Sequence, residues 1–396
     1  MRILSINSGS SSLKYALHDI DAGERGAAVE SGNLIHIGEA GSVFLSRGHK
    51  PGATKSQRLA LPDRQAALDA LTRHLRRSGL MEGVTCIGHR VVHGGSLYLR
   101  PEIVTSGLIR NLRGLVRLAP EHLLDEIRAI EFFGREFPGL TQAACFDTSF
   151  HSCLPRVSRV FPLPRSLEED GIVRYGFHGL SCEYVMMRLQ DQGQADGRVI
   201  IAHLGNGCSM TAVRDGHSID TTMGFTPAGG LMMSTRSGDL DPGVIFFLLR
   251  EKKLDPEKLA RLINEGSGLA GVSGISGDME ELLGQDQGKS EAAEAVSLFC
   301  YLARKFLGAL VFALGGLDTL VFTGGIGEKS AAVRARICAG LGFIGIELSR
   351  GLNRKNADLI SPAGSAVSAR VVRTDEELMI ARHAARLLKN EVKENG

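Results

Sequence analysis

Neither sign of charge dominates this sequence: 46 Lys and Arg stand against 44 Asp and Glu, a formal net charge of +2. That balance gives no electrostatic case for nucleic acid or an anionic membrane as partner. Long apolar runs are scarce too. The longest, residues 306–317, falls short of the about 20 residues that span a bilayer. CxxC pairs are absent; the seven cysteines (86, 145, 153, 182, 208, 300, 338) are odd in number and scattered. Such a set argues for free thiols in a reducing compartment and against a zinc site. No secretory leader precedes the first apolar run, which already reads as a strand, so a cytoplasmic chain is expected. No low-complexity linker divides the chain. The Gly-x-x-x-x-Gly-Lys-Ser/Thr loop and the dinucleotide glycine fingerprint are both lacking. Phosphate, if bound, is held some other way.

What is plentiful is glycine, 49 of 396 residues, well above the usual share of about 7%. The glycines cluster in turns, which favours a ligand site built from loops. Hydrophobic content of 43% with 23% charged residues is ordinary for a globular chain, and the length allows two domains. The stretch 3–17, ILSINSGSSSLKYAL, sets a pattern: two β-prone runs flank a turn of Asn7, Ser8, Gly9, Ser10, Ser11 and Ser12. Gly9 offers the positive φ of a tight reversal, and the small residues leave N–H groups and hydroxyls open to an anion. Lys14 adds a point charge just past the turn. A polar hairpin tip would satisfy the same pattern. The device recurs at 199–213, VIIAHLGNGCSMTAV, and again at 319–328, TLVFTGGIGE, a strand running into glycines before a helix near Ser330. Strand–turn–strand units in both halves suggest a duplicated domain with a nucleotide held between the halves.

Between these units the periodicity alternates strand and helix, which argues for an α/β layered fold. A helix over 64–77 carries Leu68, Leu71 and Leu75 on one face, with Asp63 as N-cap. Strands are expected at 84–92 and 141–146, helices around 108–116 and 122–133, and a loop at 48–55. Residues 290–314 form the longest helix, apolar nearly all round and therefore buried in a core or an interface. The last helix begins at Thr374, with Glu377 completing a capping box.

Eight segments in order, NSGSSSLK, GHRVVHGG, FDTSFH, RYGFHG, HLGNG, STRSGDLDPG, FTGGIGE and TDEELMIAR, resemble the acetate kinase family from residue 1 to about residue 385. The resemblance implies an α/β fold of duplicated RNase H-like βββαβαβα domains, as in actin and the sugar kinases, with an active-site cleft between them. It implies an N-terminal acyl-side domain over 1–150, completed by a helix at 375–396, and a nucleotide-binding domain over 151–374. It also implies a homodimer, and Mg²⁺, or Mn²⁺ in its place, acting with ATP or ADP.

Phosphoryl transfer to a carboxylate starts from a nucleophile already ionised at neutral pH. Catalysis then reduces to positioning two anions and neutralising charge as they meet. Arginine suits that chemistry. The resemblance puts Arg90 on the acyl carboxylate and Arg236 on the transferring phosphoryl group, with His178 stabilising the transition state. Asp147, at a strand's carboxyl end, joins them as a catalytic residue linked to Mg²⁺ through water and phosphate. His122 is the family's other active-site histidine, and Val92, Phe177 and Pro227 line the acyl pocket. Asn7 and Glu376 stand on the magnesium side, Glu377 being occupied by the capping box. ATP falls to Lys14, to the turn His203, Leu204, Gly205, Asn206 and Gly207, to Asp278, Met279 and Glu280, and to Gly325, Ile326, Gly327, Glu328 and Lys329. His89 and His93 lie too far apart on an extended run to share a metal.

The chain departs from the family pattern at four places. Glu280 stands where an arginine is usual and Lys329 where an asparagine is usual; both touch the base site. Ala119-Pro120-Glu121-His122-Leu123-Leu124 replaces A-P-L-H-N-P, and Pro227-Ala228-Gly229-Gly230 replaces PLEG, on the acyl side. The expected reaction is transfer from ATP to acetate by direct in-line displacement. Propionate or butyrate as acceptor is the near alternative. An actin- or Hsp70-like ATPase is the alternative of another class, in which Arg90 has no role.

Overall fold

The computed structural model describes residues 1–9, 11–39, 41–48, 54–286 and 290–394, with the side chains of 121 and 392–394 outside that description. Its strands are β1 (Arg2–Ser8), β2 (Ser12–Ile20), β3 (Gly26–Ile35), β4 (Val43–Gly48), β5 (Thr54–Arg58), β6 (Val84–Val91), β7 (Glu102–Ile103) and β8 (Thr141–Phe146), then β9 (Arg198–Leu204), β10 (Cys208–Arg214), β11 (His217–Thr221), β12 (Thr319–Thr323) and β13 (Ser368–Val371). The helices are α1 (Arg64–Arg77), α2 (Ser106–Leu115), α3 (Pro120–Glu136), α4 (Arg156–Arg159), α5 (Arg165–Glu169), α6 (Gly179–Asp191), α7 (Pro242–Arg250) and α8 (Pro256–Asn264). There follow α9 (Gly268–Ser273), α10 (Met279–Gly284), α11 (Glu291–Leu314), α12 (Gly324–Lys329), α13 (Ala331–Cys338), α14 (Arg350–Arg354) and α15 (Glu376–Glu394). They form two compact units, one of Met1–Ser149 with Asp375–Gly396, the other of Phe150–Thr374.

The first unit holds an eight-stranded sheet in the order β5-β4-β3-β2-β1-β6-β8-β7. Its central strand β1 runs antiparallel to β2 and parallel to β6. Burial on both faces explains why apolar residues of β1, Ile3, Leu4 and Ile6, fall on either side of the strand. Leu4 and Ile6 pack with Leu68, Leu71 and Leu75 of α1 and Phe133 of α3. Ile3, of opposite parity, packs with Cys86, Ala143, Ala381 and Ala384, so α15 covers the other face. Gly88 of β6 lets that helix close in, for a Cβ there would lie 2.5 Å from Ile380 Cγ2. Asp63 caps α1 by accepting from the Ala66 N–H at 2.8 Å, as its sequence position predicts.

The second unit repeats the plan. Its sheet runs β11-β10-β9-β12-β13. β9 is antiparallel to β10 and parallel to β12, and β12 is parallel to β13. The order and strand senses match β3-β2-β1-β6-β8 of the first unit. The duplication suggested by the two hairpins is therefore present at the level of whole sheets. Val185 and Leu189 of α6 pack on Val199, Ile201 and Val321. Helix α11 is capped by Ser290, whose hydroxyl accepts from the Ala293 N–H at 3.2 Å, and stops at the left-handed Gly315. By length and composition α11 is apolar enough to cross a membrane. One face, including Val296, Phe299, Leu307 and Leu310, is buried in this unit, while Tyr301 and Phe312 are exposed.

Several local expectations need correction. Gly9 does not adopt positive φ. Instead its N–H bonds the Ser12 carbonyl at 2.9 Å and the Arg64 guanidinium donates to the Gly9 carbonyl, closing the turn from outside. Ser10 lies outside the described residues, as do 49–53 of the expected loop, which Thr54 of β5 shortens. A short helix, α12, already begins at Gly324, ahead of the helix expected near Ser330, which is α13, capped by Ser330. Thr374 does not cap α15. Asp375 does, accepting from the Leu378 N–H at 2.9 Å, while the Thr374 hydroxyl meets Ser181 Oγ at 3.1 Å. A carboxylate one residue closer to the helix outcompetes the hydroxyl, and Glu377 is turned inward to Asn7 rather than back along the chain.

Candidate active site

Arg90 is the half-buried residue between buried His89 and Val91 near the end of β6, and Asp147 follows β8 directly, its N–H bonded to the Val91 carbonyl at 2.9 Å. Parallel pairing of these two strands therefore brings the side chains together. Arg90 Nη2 and Nε donate to Asp147 Oδ2 at 2.6 and 3.2 Å. A second carboxyl stands on the other side: Glu126 Oε1 of α3 lies 3.6 Å from Arg90 Nη1, and its Oε2 accepts from the Val92 N–H at 2.9 Å. Burial works against the charge of Arg90. Asp147, Glu376 and Glu126 outweigh it, so the guanidinium pKa is raised and the charge is secure. Burial pushes the Glu126 carboxyl up to about 8, against the pull of Arg90 and the Val92 N–H. Val92 is buried beside this group, and His122 is half-buried in the first turn of α3.

The same unit gathers the expected metal side. Asn7 Nδ2 donates to Glu376 Oε2 at 3.1 Å and to Glu377 Oε1 at 3.2 Å. Glu377 is thus not withdrawn into a capping box, and both carboxylates meet Asn7. Burial raises the Glu377 pKa, and Lys14, opposite Asn7 on β2, opposes that rise. Lys14 therefore stands near this carboxylate group within the first unit.

The second unit assembles a different set. His178 caps α6 from the left-handed region, with φ of 59°. Its ring stacks on His203 with centroids 4.2 Å apart, and its Nδ1 lies 2.9 Å from Ser209 Oγ. A hydroxyl donating to Nδ1 leaves the proton on Nε2. That nitrogen faces the β9–β10 turn, since a Cβ on Gly207 would lie 3.3 Å from it and 3.8 Å from Arg236 Nη1. The Arg236 loop is hung on this turn by Ser234, whose N–H donates to the Asn206 carbonyl at 3.1 Å. Gly268, at φ +62°, lets that loop pack: a Cβ there would meet the Met233 carbonyl oxygen at 2.3 Å and that of Arg236 at 2.8 Å. Arg236 Nη1 in turn lies 3.5 Å from the Pro227 carbonyl.

Gly324, at φ +76°, packs against Leu204, and Gly205 comes near the Gly325 N–H, so the β9–β10 turn and the start of α12 adjoin. Within that loop Ile326 is half-buried, Gly327 is buried and Lys329 is exposed. Glu328 serves the framework, because its Oε1 accepts from the Gly324 N–H at 3.1 Å and the Thr374 N–H at 3.2 Å. Asp278 caps α10 through the Glu280 and Glu281 N–H groups. Met279 points into the core and offers no surface to a ligand, whereas Glu280 is exposed.

Two further residues escaped the reading of the sequence. Glu126 falls on the apolar stripe of α3 with Leu123, Ile127 and Ile130, and a charge on that stripe is the signal that marks it. His151, inside FDTSFH, is buried and held neutral, its pKa pushed by burial down to about 4. Its Nε2–H donates to the Phe177 carbonyl at 3.0 Å while its Nδ1 faces Ser218 Oγ at 2.9 Å. It holds the residue before His178. No local spacing announces a contact made across so many residues.

Residues 2–382 match the model of the acetokinase family. The acetate kinase of Rhodopseudomonas palustris strain TIE-1 is 45% identical over 401 residues, covering 97% of this chain and 98% of that protein. The crystal structure of a propionate kinase from Francisella tularensis superposes with a TM-score of 0.90 at 33% identity, over 98% of this chain and 99% of that one. That of Porphyromonas gingivalis acetate kinase gives 0.86 at 34% identity, over the same shares. With its duplicated sheets and its motifs in place, this chain belongs to the acetokinase family.

Proposed function

We propose that the chain transfers a phosphoryl group reversibly between ATP and acetate, giving ADP and acetyl phosphate by direct in-line displacement. The observation that carries this reading is Arg90, a nearly buried guanidinium whose charge two carboxyls keep in place. Such a group suits a small anionic acceptor, and an ATPase that only changes conformation has no use for it.

The acceptor arrives ionised, so no general base is needed. Asp147 fixes the plane of Arg90, which binds the acceptor carboxylate. Val92, Phe177 and Pro227 receive its methyl group, and His122 serves the same acceptor. Arg236 and the Nε2–H of His178 take up charge on the moving phosphoryl group, and His203 supports that ring. ATP phosphates fall to Lys14 and the 203–207 turn, and adenosine to the 325–329 loop and the Asp278 segment. Asn7 and Glu376, with Asp147, supply the hard oxygen donors that Mg²⁺ or Mn²⁺ takes, so the residues fit the ion. Bound with ATP, it would neutralise phosphate charge. Glu377, Glu328 and His151 hold the frame. The seven cysteines, odd in number and scattered, suit a reducing compartment, and the reading extends to a cytoplasmic homodimer.

Propionate is a second reading, favoured by the likeness to the Francisella propionate kinase. Trapping acyl phosphate with hydroxylamine across formate, acetate, propionate and butyrate tests both. Acetate is expected to give the highest kcat/KM. A higher value for propionate would exchange the two readings, and ATP hydrolysis without acyl phosphate from any acid would overturn both.

A further inference from the structure

The β5 edge of the first unit's sheet carries a cavity that the phosphoryl transfer does not use. It encloses about 380 Å³ between β4, β5 and α1, at the small end of the range for ligand sites. Antiparallel pairing sets Gln57 opposite Phe44 and Lys55 opposite Ser46. Alternation along the strands therefore turns Lys55 and Gln57 to the face on which Phe44 packs with Leu68 and Leu71 of α1. From that helix come Ala70, Arg73, His74 and Arg77, whose spacing places them on one face. Phe44 and Ala70 are buried, and with Leu59 they give the cavity an apolar floor.

The walls hold three cations, Lys55, Arg73 and Arg77, and no acidic side chain among the described residues. None of the three makes a side-chain hydrogen bond or an ion pair among the described residues. Glu30, the carboxylate whose charge Lys55 favours, is already engaged: Tyr15 donates to its Oε1 at 2.7 Å, and His74 Nε2 lies 2.6 Å from the same oxygen. The negative end of α1 suits Arg77 in the last turn, but it accounts neither for Arg73, a turn earlier, nor for Lys55 on a strand. Like charges gathered round one cavity repel, and an anion between them removes that cost. We propose that the cavity is a binding site for a small organic phosphate, with the phosphate held by Lys55, Arg73 and Arg77 and the apolar part resting on Phe44 and Leu59. A phosphate monoester carries close to two negative charges at neutral pH and accepts the arginine fork, whereas a carboxylate brings one charge. The site is separate from the acceptor arginine, because β4 lies four strand spacings from β6, roughly 20 Å. It stands whether or not Arg90 holds the acceptor.

The test is calorimetric titration of the full-length chain, at fixed ionic strength, with phenyl phosphate, inorganic phosphate and benzoate as probes. Phenyl phosphate should bind with a Kd of about 1 mM or tighter. Inorganic phosphate should bind roughly tenfold more weakly for want of the ring, and benzoate roughly tenfold more weakly for want of the second charge. Arg73 and Arg77 are exposed and unpaired among the described residues, so replacing them costs the fold little. Arg73→Ala combined with Arg77→Ala should weaken phenyl phosphate by about tenfold or more, on the scale of lost hydrogen bonds to a charged group. Lys55→Gln, on a different element, should weaken it several-fold. Arg76→Ala removes a charge from the same helix outside the cavity, where Arg76 pairs with Glu136 at 2.8 Å. It should leave the Kd within about twofold, since exposed charges at a distance are screened. No measurable binding of phenyl phosphate by the unmodified chain overturns the proposal whether or not the variants fold. A titration unchanged in the double variant also overturns it, because the probe then binds elsewhere. An equal loss in Arg76→Ala reduces the effect to net charge and overturns it as well. Inorganic phosphate or benzoate binding as tightly as phenyl phosphate would overturn the class of ligand.

Discussion

Arg90 and Arg236 are both arginines in motifs of small residues, yet their settings differ. Arg90 is bracketed by the carboxyls of Asp147 and Glu126. Arg236 sits half-buried on a loop hung from Asn206 and pressed against Gly268. A lysine at 236 keeps the charge but loses the planar fork, which matters most when charge spreads over the moving phosphoryl group. Arg236→Lys should therefore lower kcat by about a hundredfold or more, on the scale of a lost oxyanion donor, with acetate KM changed only a few-fold. Steady-state kinetics check this, and a near-normal kcat removes Arg236 from the reaction centre. Both arginines were visible in the sequence as candidates because motif and residue type point the same way. Glu126 and His151 were not. Their roles depend on partners at Arg90 and Phe177 that only the packed chain supplies.

At the scale of elements, periodicity and caps served well. The Asp63 cap, the strand at Thr141–Phe146 and the long helix α11 all stand where their residue patterns put them. The start of α15 did not follow its pattern, because two adjacent residues, Thr374 and Asp375, could each serve as cap. The choice was made by burial. The Thr374 hydroxyl is engaged with Ser181, and Glu377 faces Asn7. Asp375→Ala should cost about 0.5–2 kcal/mol, the scale of a lost cap, measured by urea unfolding, and Thr374→Ala distinctly less. The reverse order would return the capping role to Thr374.

Over the whole molecule, one sheet plan appears twice, and each unit buries a neutral histidine: His89 in the first, against Gln142 at 2.6 Å, and His151 in the second. Both rings are pushed down to about 4 by burial, below the ordinary value of 6.5. The unfolded chain therefore takes up protons between these values when the native chain does not. The stability these rings contribute is whole above about pH 6.5 and is lost as pH falls toward 4. His151→Gln removes that loss, so its deficit in unfolding free energy relative to the unmodified chain should narrow from pH 7 to pH 5, by on the order of 1–2 kcal/mol. A deficit that stays constant or widens would show that His151 is not held neutral. By itself the sequence determined the layered α/β class, the main helices with the Asp63 cap, and the family, because these follow from local periodicity and from residue types in fixed order. Tertiary structure alone decided that Glu126 borders Arg90, that Glu328 and His151 hold backbone groups, and that Asp375 caps α15. Each of these is a contact between distant stretches, or a choice between equal neighbours, settled by which polar groups burial leaves to be satisfied.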